Sequence, residues 1–414
     1  MGGSLSTVSD RFALHRRAQD CIAQGALTNS KRPSCHVQGI YPTHVARGHG
    51  AYLWDHNGKK YLDFICGLGA NILGYANERV NQAVAAQLGN GATLSFSTHH
   101  ELEAAEKVKE LVPFVDAVKF LKTGSEACSA AIRIARAATG RHWVLSDAYH
   151  GWHDDFVSLT PPAYGIPSEA DGYARAIDQL RTFGQIGSDV AAVIVEPVVT
   201  DASEERRAYL QKLRAECTKH GVMLIFDEVI TGFRWPRFTV ANNWSITPDL
   251  IVIGKAMANG LPLAAVGGKY AVMNTPNEYF VSSTFAGETL SLVAAKATMT
   301  LLQTKFDLAT LWERGAAFLE GFNKLWPESI RIEGYPSRGA FKGDPKVRAL
   351  VFQEACLAGI LFGPSFFLSF AHVDEMHGVL DTCRDIIGRV KRGEVKLKGE
   401  LPQSPFAEKV RAKA

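Results

Sequence analysis

The chain has 414 residues, 46% of them hydrophobic, enough to bury a large core in one big domain or in a big domain and a smaller one. Lys and Arg number 45 against 42 Asp and Glu, a formal net charge of +3, and no basic block is long enough to track a polyanion, which excludes nucleic acid as an expected partner. No stretch reaches the roughly 18 to 20 apolar residues of a membrane helix, and Met1–Asp20 lacks the apolar core of a signal peptide, so a cytoplasmic protein with no membrane partner is expected.

To about Gly50 the chain is polar and broken by Pro and Gly, with "KRPSCHVQGIYP" too rich in breakers for a long helix. In "AYLWDHNGKKYLDF" two short strand-like runs flank Asn57-Gly58, a hairpin signal, and the glycine-rich "CGLGANILG" follows. From about Leu102 helical patterns alternate with apolar runs: "AVKFLKT", the helix "SEACSAAIRIARAATG", "HWVLSD", "DVAAVIVEP", the helix "SEERRAYLQKLRAECTKHG", "VMLIFDE" and "DLIVIGK". Short apolar strands separated by helices predict an α/β fold with a mostly parallel sheet covered on both faces. After about Thr304 amphipathic helices such as "TLWERGAAFLEGFNKLW" and "DEMHGVLDTCRDIIGRVKRG" indicate a smaller α/β C-terminal domain. The seven cysteines form no CxxC pair and are expected to be reduced thiols, several of them buried.

In an open parallel sheet a ligand lies beyond the carboxyl ends of the strands, so the residues just after each apolar run carry the information. Thr123-Gly124-Ser125 end one strand and open a helix: free N–H groups and a hydroxyl suit a phosphate, or Ser125 is an ordinary N-cap. Tyr149, His150 and Trp152 follow "VLSD", where aromatics either stack on a flat ligand or pack in a loop. His150 and His153 have a metal-like spacing, but no further His or Asp completes a ligand set, so no metal is expected. Asp227-Glu228 end "VMLIF". A nucleotide hydrolase would also need GxxxxGK[ST], which is missing, so Asp227 needs a cationic partner or good hydrogen bonds. Lys255 stands one residue past "LIVIG" in an apolar setting without a carboxylate nearby. It is either a lysine opening a helix or a desolvated amine, lowered in pKa and nucleophilic towards carbonyls. Anion site, stacking surface, acid for a ring nitrogen and amine for an aldehyde together fit pyridoxal 5′-phosphate.

With these motifs in fixed order, from "GAYLWDHNGKKYLDF" through "TGSEACSAAIRIARAATG", "YHGWHD", "FDEVITGFR" and "IGKAMANGLPLAAVGG" to "STFAGETLSLVAAK", the chain resembles the class III (fold type I) PLP-dependent aminotransferases, and within them the glutamate-1-semialdehyde 2,1-aminomutase branch. The resemblance implies a large PLP-binding domain over 56–304, a small C-terminal domain over 305–414, and an N-terminal segment, 1–55, contributing to the small domain and to the cover of the active site. It implies that Lys255 forms the internal aldimine and carries the proton between substrate and cofactor, that Asp227 pairs with the pyridinium nitrogen, and that Val229 and Tyr149 cover the two ring faces. Gly124 and Ser125 would hold the phosphate, joined by Thr284 of a neighbouring subunit, which implies a homodimer with shared sites. Arg32 falls near the place of the mutase's carboxylate-binding arginine, Trp152 is placed towards substrate, and Glu288 either touches substrate or caps the next helix. The arginine many relatives use for an α-carboxylate is absent from "GPSFFLSFAHVDE", and "TPPAYGIPSE" lies where the mutase has a gating loop. The implied activity is transamination between a small-molecule amino donor and a carbonyl acceptor through PLP and PMP, with mutase-type intramolecular transfer as the alternative.

Overall fold

The computed structural model describes residues 12–147, 149–157, 175–176 and 189–403. The "TPPAYGIPSE" segment lies outside them. The chain forms two compact units: one holds the described residues up to Leu68, Gly74–Ala76 and those from Arg314 onward, the other Gly69–Leu73 and Asn77–Glu313.

The second unit is built on a seven-stranded sheet in the order Ala117–Leu121, Ala264–Gly268, Leu250–Ile253, Met223–Glu228, Val190–Val195, Trp143–Ser146, Arg175–Ala176. The last five run parallel, four of them as their apolar runs predict, with Arg175–Ala176 the one that no apolar run marks. Val190–Val195 and Leu250–Ile253 are buried at every position, which a strand covered on both faces requires. Ala264–Gly268 is the exception: it is antiparallel to both neighbours. Its sequence, Ala-Ala-Val-Gly-Gly, carries one β-branched residue and no alternation, so nothing in its pattern marks a strand. The helix Gly124–Thr139 lays Ala127, Ala131, Ile134 and Ala135 on the sheet, and small side chains let it approach closely.

In the first unit Tyr52–Asp55 and Lys60–Asp63 form the expected hairpin, with the Asp55 carboxylate accepting from the N–H groups of Asn57 and Lys59 at 2.9 Å. Val45–His49 extends this sheet on one side and Ile360–Leu361 on the other. A three-stranded antiparallel sheet, Ile330–Tyr335, Arg338–Gly343 and Ser365–Phe367, shares a core of stacked Phe64, Phe318 and Phe366, with centroids 5.1–6.1 Å apart. All seven cysteines are free thiols, six of them buried. No helix among the described residues is long and apolar enough to cross a membrane.

Candidate active site

At the carboxyl ends of the strands lies a cavity of ≈ 320 Å³. Lys255, Asp227, Val229, Gly124, Ser125 and Tyr149, all marked in the sequence, line it, together with Lys122, Cys128, His150, Gly151 and Glu196. Five separate chain segments therefore converge, each just after a strand.

The helix Gly124–Thr139 presents its N-terminus to this cavity. Thr123 caps it by accepting from Glu126 N at 3.2 Å, and the Glu126 carboxylate takes the N–H groups of Lys122 and Thr123 at 3.0 and 2.8 Å. The box accounts for the flanking donors and leaves the N–H groups of Gly124 and Ser125 without an acceptor among the described residues, at the positive end of the helix dipole. Ser125 is therefore not the cap; its Oγ accepts instead from Trp152 N at 3.3 Å. A Cβ on Gly124 would sit 2.9 Å from Val229 Cγ1, so glycine is what lets Val229 close against this end. Gly151, at φ +118°, passes so near that a Cβ would meet Ser125 Oγ at 2.5 Å.

Asp227 is buried and lies in a chain of charges. Its Oδ2 accepts from His150 Nδ1 at 2.7 Å and from Cys128 Sγ at 3.5 Å, and its Oδ1 from Val229 N at 3.0 Å. His150 Nε2 faces Asp147 Oδ1 at 3.1 Å, and Arg206 Nη2 lies 3.5 Å from Asp147 Oδ2. Burial alone would push His150 down, but the hydrogen bonds and charges of the two aspartates outweigh it and raise it to about 10. Burial likewise works against the Asp227 carboxylate, yet the imidazolium beside it holds the group below its usual value. At neutral pH the pair is an imidazolium and a carboxylate with one Oδ1 lone pair turned to other uses. Burial and the Asp227 charge push the Cys128 thiol well up, so it stays protonated and donates. The neighbouring Glu228 points elsewhere: Val240 N, Ala241 N and Thr231 Oγ1 occupy it at 2.7, 2.9 and 2.8 Å.

Lys255 does not open an α-helix. It begins a single 3₁₀ turn, Lys255–Ala258, with its own backbone at φ +41° and left-handed Asn259 closing the turn before the chain returns as Ala264–Gly268. A lysine in the left-handed region is strained and is held there by the two strands it joins.

The remaining sequence-marked residues are not gathered here. Trp152 is 68% exposed and Thr284 is exposed, and neither lines the cavity. Arg32 belongs to the other unit. Glu288 caps the helix Thr289–Thr304, accepting from Leu290 N at 2.7 Å and Ser291 N at 3.2 Å, and pairs with Lys122 Nζ at 2.9 Å. His153 contacts Ser129 Oγ at 3.0 Å rather than joining His150. Sequence reasoning missed Cys128, Asp147 and Lys122, which no local spacing ties to Asp227.

Open N–H groups at a helix end, a carboxylate with spare acceptor capacity, Val229 closed against a Gly124 that has no room for a Cβ, and a lysine just past a neighbouring parallel strand suit pyridoxal 5′-phosphate in donor type and in cavity size. The family model described as aminotransferase class-III matches residues 35–365. The glutamate-1-semialdehyde 2,1-aminomutase of Syntrophobacter fumaroxidans is 32% identical over 409 residues, covering 88% of this chain and 94% of its own. An omega-transaminase from Sphaerobacter thermophilus superposes with a TM-score of 0.83 at 26% identity, over 93% of this chain and 98% of that one. The FumI protein of a Sphingopyxis species, in its PLP internal aldimine form, gives 0.86 at 26%, over 95% and 98%.

Proposed function

The chain belongs to the class-III aminotransferases and its cofactor is pyridoxal 5′-phosphate; on that premise we propose that it moves an amino group between a small-molecule amino donor and a carbonyl acceptor, with Lys255 as the catalytic amine and Asp227 as its electrostatic counterpart. The observation that carries this reading is the meeting of Lys255 with the buried Asp227–His150 pair and the open N-terminus at Gly124-Ser125 in one cavity.

When bound, the cofactor supplies an aldehyde to which amines bond and a protonable ring that draws electrons from the substrate carbon. The protein's part is positioning and proton handling. The Gly124 and Ser125 N–H groups bind the phosphate, with Thr284 contributed by the neighbouring subunit of a homodimer. Val229 and Tyr149 pack against the two faces of the ring. Asp227, kept ionised by His150, holds a proton on the ring nitrogen through its free Oδ1 lone pair. Lys255, set by a strained turn and close enough for its charge to act on the Asp227 carboxylate rather than in the apolar setting its sequence neighbours suggest, takes the proton from the substrate carbon and returns it. Trp152 and Arg32 are assigned to the substrate side.

Mutase-type transfer within one molecule is the second reading, favoured by 32% identity to an aminomutase over nearly the whole chain and by the lack of an arginine in "GPSFFLSFAHVDE". The purified protein is incubated with amino donors singly and with glutamate-1-semialdehyde, and its visible spectrum and products are followed. Transamination predicts a borohydride-sensitive band converted by at least one donor, with release of the matching carbonyl product. Turnover of the semialdehyde alone, with no donor accepted, would favour the mutase. A protein with no visible band after addition of PLP overturns both.

A further inference from the structure

Three side chains distant in sequence, Cys128, His150 and Asp227, bring a thiol, an imidazole nitrogen and a carboxylate oxygen within 4.8 Å of one another, all three residues buried. We propose that this trio binds a thiophilic divalent transition metal such as Zn²⁺ when the cofactor is absent, so that metal and cofactor exclude each other from the same cavity.

Sulfur, imidazole and carboxylate are the ligand types zinc takes together. Tetrahedral bonds of about 2.3 Å to sulfur and about 2.0 Å to nitrogen and oxygen place neighbouring ligand atoms roughly 3.2–3.6 Å apart. The Cys128 Sγ to Asp227 Oδ2 distance of 3.5 Å already meets this, and the His150 Nδ1 to Asp227 Oδ2 distance of 2.7 Å has only to open slightly. The outer contacts are in place as well. His150 Nε2 is held by Asp147, itself beside Arg206, so the imidazole is oriented with Nδ1 towards the trio, the carboxylate–histidine arrangement that supports metal sites. All three residues line the cavity, which leaves a fourth position open to water.

Charge closes the argument. Without metal the trio is a neutral thiol, an imidazolium and a carboxylate. On binding, Cys128 releases its Sγ proton and His150 its Nδ1 proton to solvent, and the divalent cation takes their place beside a thiolate, a neutral imidazole and a carboxylate. Two protons leave and two positive charges enter, so the net charge of the three ligand groups is unchanged and the metal meets the same Lys255 charge that the trio already faces. The exclusion of cofactor rests on the function proposed above, since Asp227 cannot ligate a metal and serve the ring nitrogen together; the metal site itself does not.

The described residues hold one other grouping of this kind, His99, His100 and Glu103. That group has no thiol and none of its residues is buried, and Lys296 Nζ already lies 2.8 Å from Glu103 Oε1. It serves as the control.

Full-length protein is stripped of cofactor and titrated with Co²⁺, alongside the PLP-loaded form and the Cys128→Ser, Cys128→Ala and His99→Ala variants, each checked for native circular dichroism. The expected result is one Co²⁺ per stripped chain, a near-ultraviolet thiolate-to-cobalt charge-transfer band, about two protons released per metal, and displacement by Zn²⁺. Both Cys128 variants should lose the band and bind Co²⁺ at least about 100-fold more weakly, PLP loading should prevent it, and His99→Ala should leave it unchanged. Absence of stoichiometric binding, a band that survives in the Cys128 variants, or equal binding by the PLP-loaded form overturns the proposal. Failure of the function proposed above shows differently: PLP does not bind, while the Cys128-dependent cobalt band stands.

Discussion

Replacing Asp227 by Asn removes one charge from the His150 pair while keeping the side chain's size and one oxygen, which can accept from Val229 N or from His150 Nδ1 but not from both. Opposite unit charges 2.7 Å apart attract by about 6 kcal/mol at an effective dielectric of 20. Part of that is offset because an amide is easier to bury than a carboxylate, leaving a net loss of about 3 kcal/mol, the lower end for breaking a buried pair, since Asp147 still faces the imidazole. The same 6 kcal/mol is about 4 pKa units, which brings His150 from about 10 back to the neutral range. The two proteins then differ in pH dependence. With a folded value above its unfolded one, His150 stabilises the wild type fully below about pH 6.5, and that contribution, up to about 5 kcal/mol, is lost as pH rises through 10. On the acid side Asp227, held below its usual value, contributes stability lost as pH falls under 3.8. The variant has neither loss. Guanidinium unfolding of the cofactor-free chain at pH 6.5 and pH 10 measures this: the wild-type midpoint should drop markedly more than that of Asp227→Asn. An equal drop in both would refute the ion-pair account, and a transamination rate within a few fold of wild type, where a loss of at least about 100-fold is expected, would remove Asp227 from the chemistry.

Lys255→Ala should fold, retain PLP without a borohydride-sensitive band, and turn over no donor; retained turnover ends the role given to this lysine. Gly151→Ala drives a Cβ to 2.5 Å from Ser125 Oγ at a φ of +118°, so PLP should bind at least about 10-fold more weakly and stability fall by about 2 kcal/mol, both read by titration and unfolding; unchanged PLP affinity would mean that Ser125 does not hold the phosphate. Glu288→Ala removes the cap bonds to Leu290 N and Ser291 N and should cost about 1–2 kcal/mol with kcat/KM changing equally for all substrates. A loss confined to one substrate would show that Glu288 contacts it.

What the sequence makes legible is whatever one segment encodes by itself. The parallel strands show because burial on both faces demands unbroken apolar runs such as Val190–Val195, and the hairpin shows because Asn57-Gly58 has few other uses. Lys255 and Asp227 show because a charge directly after such a run calls for a reason. Ala264–Gly268 is hidden, since its strand geometry comes from the two neighbours it pairs with and from close approaches that only small residues permit: a Cβ on Gly267 would lie 2.9 Å from Val115. The Asp227 environment is hidden for a related reason. Cys128 and His150 sit 99 and 77 positions from it, and only the sheet order sets a helix residue and a loop residue against the same carboxylate. His153, three residues from its supposed companion, turns instead to Ser129.

The inserted antiparallel strand also imposes an order of assembly. Among the described residues Ala117–Leu121 stands at the edge of the sheet with Ala264–Gly268 as its one strand partner, and Leu121 pairs with Ala264, which is 143 residues further along (264 − 121). The strand that delivers Gly124 and Ser125 thus has nothing to hydrogen-bond until the Lys255 turn has been synthesised and has folded back. During synthesis the anion-binding end of the site and the lysine end become structured in one event, late and at the cost of a long loop closure. A chain that ends before Gly268 lacks the strand that Ala117–Leu121 pairs with, and so presents an open sheet edge beside half a site.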